Sequence, residues 1–150
     1  MKHVIYAMQF KGAATPGAEA GTLKVTTSAT SCSIRSIAGP DGIEGVFQPA
    51  EGGMAFFESE ARMTGPDTFV EEGAISFGEG DHALKFTTIG QGHLDSKSHL
   101  DTKSMTGSVL WKIESGEGQF NGAKGNITSN FFITADGAVT DYHFGVIYTK

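Results

Sequence analysis

Apolar and polar residues alternate along most of this chain. In "TFVEEGAISF", Thr68 to Phe77, the odd positions are Phe69, Glu71, Gly73, Ile75 and Phe77, and the even ones are Val70, Glu72, Ala74 and Ser76. A side-chain period of two belongs to β-strands, whose successive residues face opposite sides. The same reading predicts strands at His3 to Lys11, Gly21 to Thr30, Cys32 to Ile37, Met54 to Thr64 and Thr68 to Phe77. Further strands are predicted at His82 to Ile89, Met105 to Ser115, Gly125 to Thr134 and Ala138 to Thr149. "AGPDG", "GPD", "GEGD" and "ADG" separate several of them, and such clusters mark turns. Gly45 to Gly53 reads as a loop or a broken strand. No stretch carries apolar residues at helical spacing, so any helix is expected to be short.

Consecutive strands of this length suit an up-and-down antiparallel barrel better than an open sandwich, because closure removes exposed edges. The expectation is therefore an all-β fold, a closed barrel of about eight strands, whose interior is filled by side chains or holds one small ligand. At 150 residues the chain reads as a single β-barrel domain, 1–150. Its 21 glycines are spread between the apolar runs instead of forming a linker, which fits the same class.

Charge narrows the partners. The formal net charge is -6 and charged residues make up 19% of the chain, with no basic cluster. Nucleic acid needs a cationic face to displace phosphate counterions, so no nucleic-acid partner is expected, and anionic membranes are disfavoured for the same reason. No run reaches the roughly 20 apolar residues that span a bilayer. "MKHVIYAMQFKG" has too short an apolar run for a secretory signal, and the single cysteine, Cys32, has no internal disulfide partner and reads as packing. The expected location is the cytoplasm.

Strand parity gives candidate interior residues. On the strand from Thr68 the heavier apolar set is odd, and it carries Glu71 inward. Leu84, Phe86 and Thr88 share a face, as do Met105, Val109, Trp111 and Ile113, and then Ile127, Ser129, Phe131 and Ile133. On the last strand Val139, Asp141, His143, Gly145 and Ile147 oppose Tyr142, Phe144, Val146 and Tyr148, and both sets are largely apolar. The first strand is two-sided too, with Val4, Tyr6, Met8 and Phe10 against Ile5 and Ala7. Two-sided terminal strands predict that one outer face is covered by another subunit, a homo-oligomer through the terminal strands. Glu58 and Glu60 read first as a solvated face, although Phe56 shares it and leaves an inward Glu58 open.

"GEGQFNGAKGNITSNF", Gly116 to Phe131, is the most distinctive stretch, with the pattern G-x-G-x-F-x-G-A-x-G. Such glycines let a chain turn sharply or pass close to a neighbour. A phosphate loop is not expected, because strand propensity resumes at Asn126 where a helix would be required. The pattern and the two long terminal strands that follow it resemble the allene oxide cyclase and dirigent (calycin-like) barrels. It is nearer still to small uncharacterised bacterial proteins of that fold. The resemblance is specific over Gly107 to Tyr148 and architectural before that. It implies an eight-stranded barrel with a pocket at one mouth, in a group that steers apolar intermediates without a redox cofactor. No catalytic residue carries over by position.

Together these readings favour a cofactor-independent isomerase, cyclase or lyase acting on an apolar or aromatic small molecule. The alternatives are a ligand-binding barrel without turnover and a dirigent-like steering protein. Glu71, His143, Asp141 and Glu58 are the candidate acid–base groups, since burial raises a carboxyl pKa and a neighbouring carboxylate favours protonated His. Trp111, Phe86, Phe131, Ser129 and Tyr6 are the candidate substrate walls. No cofactor or metal is expected.

"HLDSKSHLDTKS", His93 to Ser104, is a hexapeptide written twice with one Ser-to-Thr change. In an extended chain His93, Asp95, Lys97, His99, Asp101 and Lys103 would share a side, but interleaved lysines make a poor metal site. It reads as a duplicated hairpin loop across the barrel mouth, a candidate lid.

Overall fold

The computed structural model describes residues 1–95 and 104–150. Among these it forms β1 (Lys2–Pro16), β2 (Thr22–Gly39), β3 (Gly42–Met63), β4 (Thr68–Phe77) and β5 (His82–Thr88). These are followed by β6 (Gly92–Asp95), β7 (Met105–Gly116), β8 (Lys124–Ile133) and β9 (Ala138–Thr149). All neighbouring strands are antiparallel, in the order β3-β2-β1-β9-β8-β7-β5-β4, and β3 pairs back onto β4 to close the ring. β5 and β6 both lie between β4 and β7, so they act as one stave broken near Ile89. The result is an eight-stave barrel, as the alternation predicts.

Two boundaries differ from the sequence reading. Gly21 to Thr30 and Cys32 to Ile37 are one long strand, β2, and the expected loop at Gly45 to Gly53 belongs to β3. Cross-strand pairing supplies what local composition withholds: Cys32–Gly39 pairs with Gly42–Pro49 around a tight turn at Pro40-Asp41. The short β6 was not expected, and it includes His93, Leu94 and Asp95 of the duplicated segment. The rest of that loop, 96–103, lies outside the described residues, and so does its reading as a lid.

The interior is stacked in layers. Across the middle, Phe10 stacks on His143 with ring centroids 4.1 Å apart, and Phe57 and Trp111 approach the same imidazole at 5.3 and 5.0 Å. Phe86 completes this aromatic layer at 4.3 Å from Trp111. At the base, Phe77 packs on Tyr6 and on Phe120. Phe120 is placed there by the glycine-rich stretch, whose Gly118–Phe120 turn folds the ring under the barrel. A side chain on Gly116 would overlap the Phe120 backbone, which gives the motif its physical reason. The Gly145 position is similarly filled, by the Tyr6 ring.

Candidate functional site

The mouth end of the interior is less full. A cavity of about 50 Å³, room for a few water molecules, lies between Phe57 of the aromatic layer and a rim that includes Met63, Leu94, Met105 and Phe131. Its walls are apolar except for three inward polar side chains, Glu71, Ser129 and Asp141. Each reaches the lumen through strand parity. Glu71 follows Phe69 and precedes Ile75 on β4, Ser129 lies between Ile127 and Phe131 on β8, and Asp141 lies between Val139 and His143 on β9.

Asp141 is the hub. His143 Nε2 lies 2.8 Å from its Oδ2, and the Ser129 hydroxyl donates to its Oδ1 at 2.6 Å. His143 stands two residues along the same strand and is 1% exposed, buried behind Asp141 by the aromatic layer. With Nε2–H directed at the carboxylate, Nδ1 is left buried with no partner among the described residues. Asp141 therefore presents a carboxyl group to the cavity from the front while an imidazole and a hydroxyl fix its plane from behind.

Glu71 is held separately. The Ser59 hydroxyl on β3 donates to its Oε2. Its backbone is gripped by Thr88, whose Oγ1 accepts from Glu71 N–H at 2.7 Å and donates to Glu71 C=O at 2.8 Å. This grip falls where β5 ends, so a side chain continues the ladder that the broken stave interrupts. Burial pushes the Glu71 carboxyl up to about 7; the Asp141 charge adds to the rise, while the Ser59 hydroxyl and the Trp111 indole oppose it. Among the described residues, Trp111 Nε1 and the buried Tyr6 hydroxyl have no partner within hydrogen-bond geometry. Burial, reinforced by Asp141, drives the Tyr6 phenol well above its usual range.

The sequence-predicted residues are thus divided. Glu71, Asp141 and His143 are all interior, and Ser129 and Phe131 line the cavity. Glu58 is corrected: β3 turns Ala55, Phe57, Ser59 and Ala61 inward, so Glu58 stands exposed on the outer surface. Phe86 and Trp111 belong to the packed middle layer and do not line the cavity, and Tyr6 lies on the base side against Phe77. Ser59 and Thr88 were missed as partners of Glu71. Ser59 had a signal, since inward Phe57 and Ala61 place it inside by parity; Thr88 needed the strand break to be known.

No protein-family model matches the chain, and no curated protein matches it. Among solved structures, the pterocarpan synthase dirigent protein GePTS1 aligns over 99% of this chain and 92% of its own, with 15% sequence identity and a TM-score of 0.32. A likeness of that degree carries no argument about activity, and the functional reading rests on this chain's own side chains. No helix among the described residues is long and apolar enough to cross a membrane.

Proposed function

We propose that the protein is a cofactor-independent acid–base enzyme of the isomerase, cyclase or lyase type, acting on a small apolar or aromatic molecule at the barrel mouth. The observation that carries this reading is the meeting of two carboxyl groups, Glu71 and Asp141, in one apolar cavity. A carboxyl that titrates at about 7 both gives and takes a proton near neutrality. Glu71 is the acid or base, and Asp141, oriented by His143 and Ser129, is the second polar contact for the substrate. The hydrophobic rim holds the apolar body of the molecule near its reactive geometry.

The cavity is far smaller than the roughly 300 Å³ or more of an ordinary ligand pocket. Entry therefore requires the rim to yield, and Met63 and Met105 are unbranched side chains that change rotamer easily. Chemistry and binding separate in one experiment. Ligand-observed NMR over a panel of apolar carbonyl and phenolic compounds finds those that bind, and incubation in D₂O then reads deuterium entering their C–H positions. Wild type is expected to bind and exchange, and Glu71→Gln to bind without exchange. Binding without exchange by wild type would leave a carrier barrel instead.

A further inference from the structure

β2 and β3 outgrow the barrel. β1 pairs with β2 only through Lys11–Pro16 and Leu23–Ser28, and β3 pairs with β4 only from Ala55 onward. Beyond that, the backbones of Cys32–Gly39 and Gly42–Pro49 pair only with each other, eight residue pairs forming a two-stranded arm whose base is tied to β1 where the Cys32 thiol donates to Ala7 C=O at 3.5 Å. Its departure point is built in. Between the pairs Thr30–Met54 and Cys32–Pro49, one residue of β2 faces four of β3, and the Ser31 hydroxyl donates to Gly53 C=O at 2.6 Å to hold the bend.

The arm is amphipathic. Directly opposed residues share a face, so Cys32, Ile34, Ser36 and Ala38 lie with Pro49, Phe47, Gly45 and Ile43, and this face carries no charge. Ser33, Arg35 and Ile37 lie on the other face with Gln48, Val46 and Glu44. Ile43 is 77% exposed, and Ile34 and Phe47 are also open to solvent. A two-stranded ribbon is marginal by itself in water, so a bare apolar face on one calls for a cover.

The same chain offers a matching surface. Where the arm leaves, Lys2–Phe10 of β1 pairs with β9 on one side and with no strand among the described residues on the other. The outer face of this β1–β9 pair sets Ile5 beside Val146, Ala7 beside Phe144 and His3 beside Tyr148, again with no carboxylate. Ile5 and Phe144 are 59% and 50% exposed. Lys11 and Lys124 flank this face, whereas the arm and its turn carry Asp41 and Glu44 against the single cation Arg35, with Glu51 in the bulge at its base. In a chain of net charge -6, an acidic arm and a carboxylate-free face are complementary.

We propose that the arm of one copy docks on the β1–β9 outer face of a second copy, so that the protein is a homo-oligomer joined by arm exchange. At 3.4 Å per residue the arm is about 27 Å long, and two reciprocal contacts of that length bury on the order of 1,000 Å², the lower bound for a stable interface. The arm's own face carries no charge to desolvate.

The test uses the full chain in size-exclusion chromatography with light scattering over a dilution series. Wild type is expected to be oligomeric. The arm variant Ile34→Glu/Phe47→Glu and the face variant Ile5→Glu/Phe144→Glu are each expected to weaken association by about tenfold or more while keeping the β circular dichroism of wild type. Mixing the two is decisive, because the intact arm of one variant meets the intact face of the other and restores one of the two reciprocal contacts, so the mixture is expected to associate more tightly than either variant alone though less tightly than wild type. A monomeric wild type, oligomers indifferent to either pair, or a mixture that associates no better than the separate variants would each overturn the proposal, the last by pointing to arm–arm or face–face contact. Should one variant aggregate, pairing the other with wild type at low concentration reads the same contact: hetero-association is expected, and its absence counts against it.

Discussion

At the base of the barrel, Phe77, Leu84, Phe120 and Ile147 fill the lumen ring against ring and methyl against methyl. At the mouth, Met63, Leu94, Met105 and Phe131 stand around a cavity that holds two carboxyl groups. The two ends come from the same strands with the same alternation, and between them lies the aromatic layer of Phe10, Phe57, Phe86, Trp111 and His143. One end is rigid because branched and aromatic side chains interlock, and packing of that density transmits position. The other is adaptable because its rim includes flexible side chains and its walls leave space. The polar pair at the mouth is therefore positioned from behind by a solid layer and exposed in front to a region that can move.

The sharpest way to break this contrast is to cut the solid layer. Phe57→Ala, which removes a ring packed on four others, is expected to cost about 3–5 kcal/mol in urea unfolding, and Phe131→Ala at the half-buried rim clearly less. Equal losses would show that the ends are alike.

Glu71 gives the next effect, through pH. Its folded pKa of about 7 stands above the unfolded 4.5, so the native state holds this proton more tightly. Stability is therefore lost as pH rises between those values, and by about pH 8 the full cost is on the order of 3 kcal/mol. Glu71→Gln is expected to leave stability near wild type below pH 4.5 and to raise it by a similar amount above pH 7, read from unfolding curves across pH. A pH-independent difference would remove the buried-acid reading.

Opening the mouth should be milder. Met105→Ala is expected to cost about 1 kcal/mol and to tighten or quicken uptake of apolar ligands, followed by fluorescence of Trp111. The smallest effect belongs to the outside. Glu58→Gln is expected to change stability by less than about 0.5 kcal/mol and to leave the Glu71 titration in place.

The barrel was legible because each stave alternates long enough for parity to be unambiguous, and Glu71, Asp141 and His143 followed their apolar neighbours inward. Three features escaped. Glu58 was left open because Phe56 beside it is an outward aromatic, and parity is decided by the whole strand, not by one ring. The arm escaped because glycine, proline and alanine around Gly45 to Gly53 read as loop, while its ladder is supplied by β2. The filled middle escaped because inward direction does not tell how far a side chain reaches; Trp111 and Phe86 face inward and meet each other, leaving no room for a substrate there.

The central claim is that Glu71 is a carboxylic acid near neutral pH inside an apolar mouth. Carbon-13 NMR of the side-chain carboxyl carbons, with Glu71 assigned by loss of its signal in Glu71→Gln, follows that group directly. A midpoint near 7 is the predicted result. A midpoint in the ordinary carboxylate range, near 4.5, would contradict it.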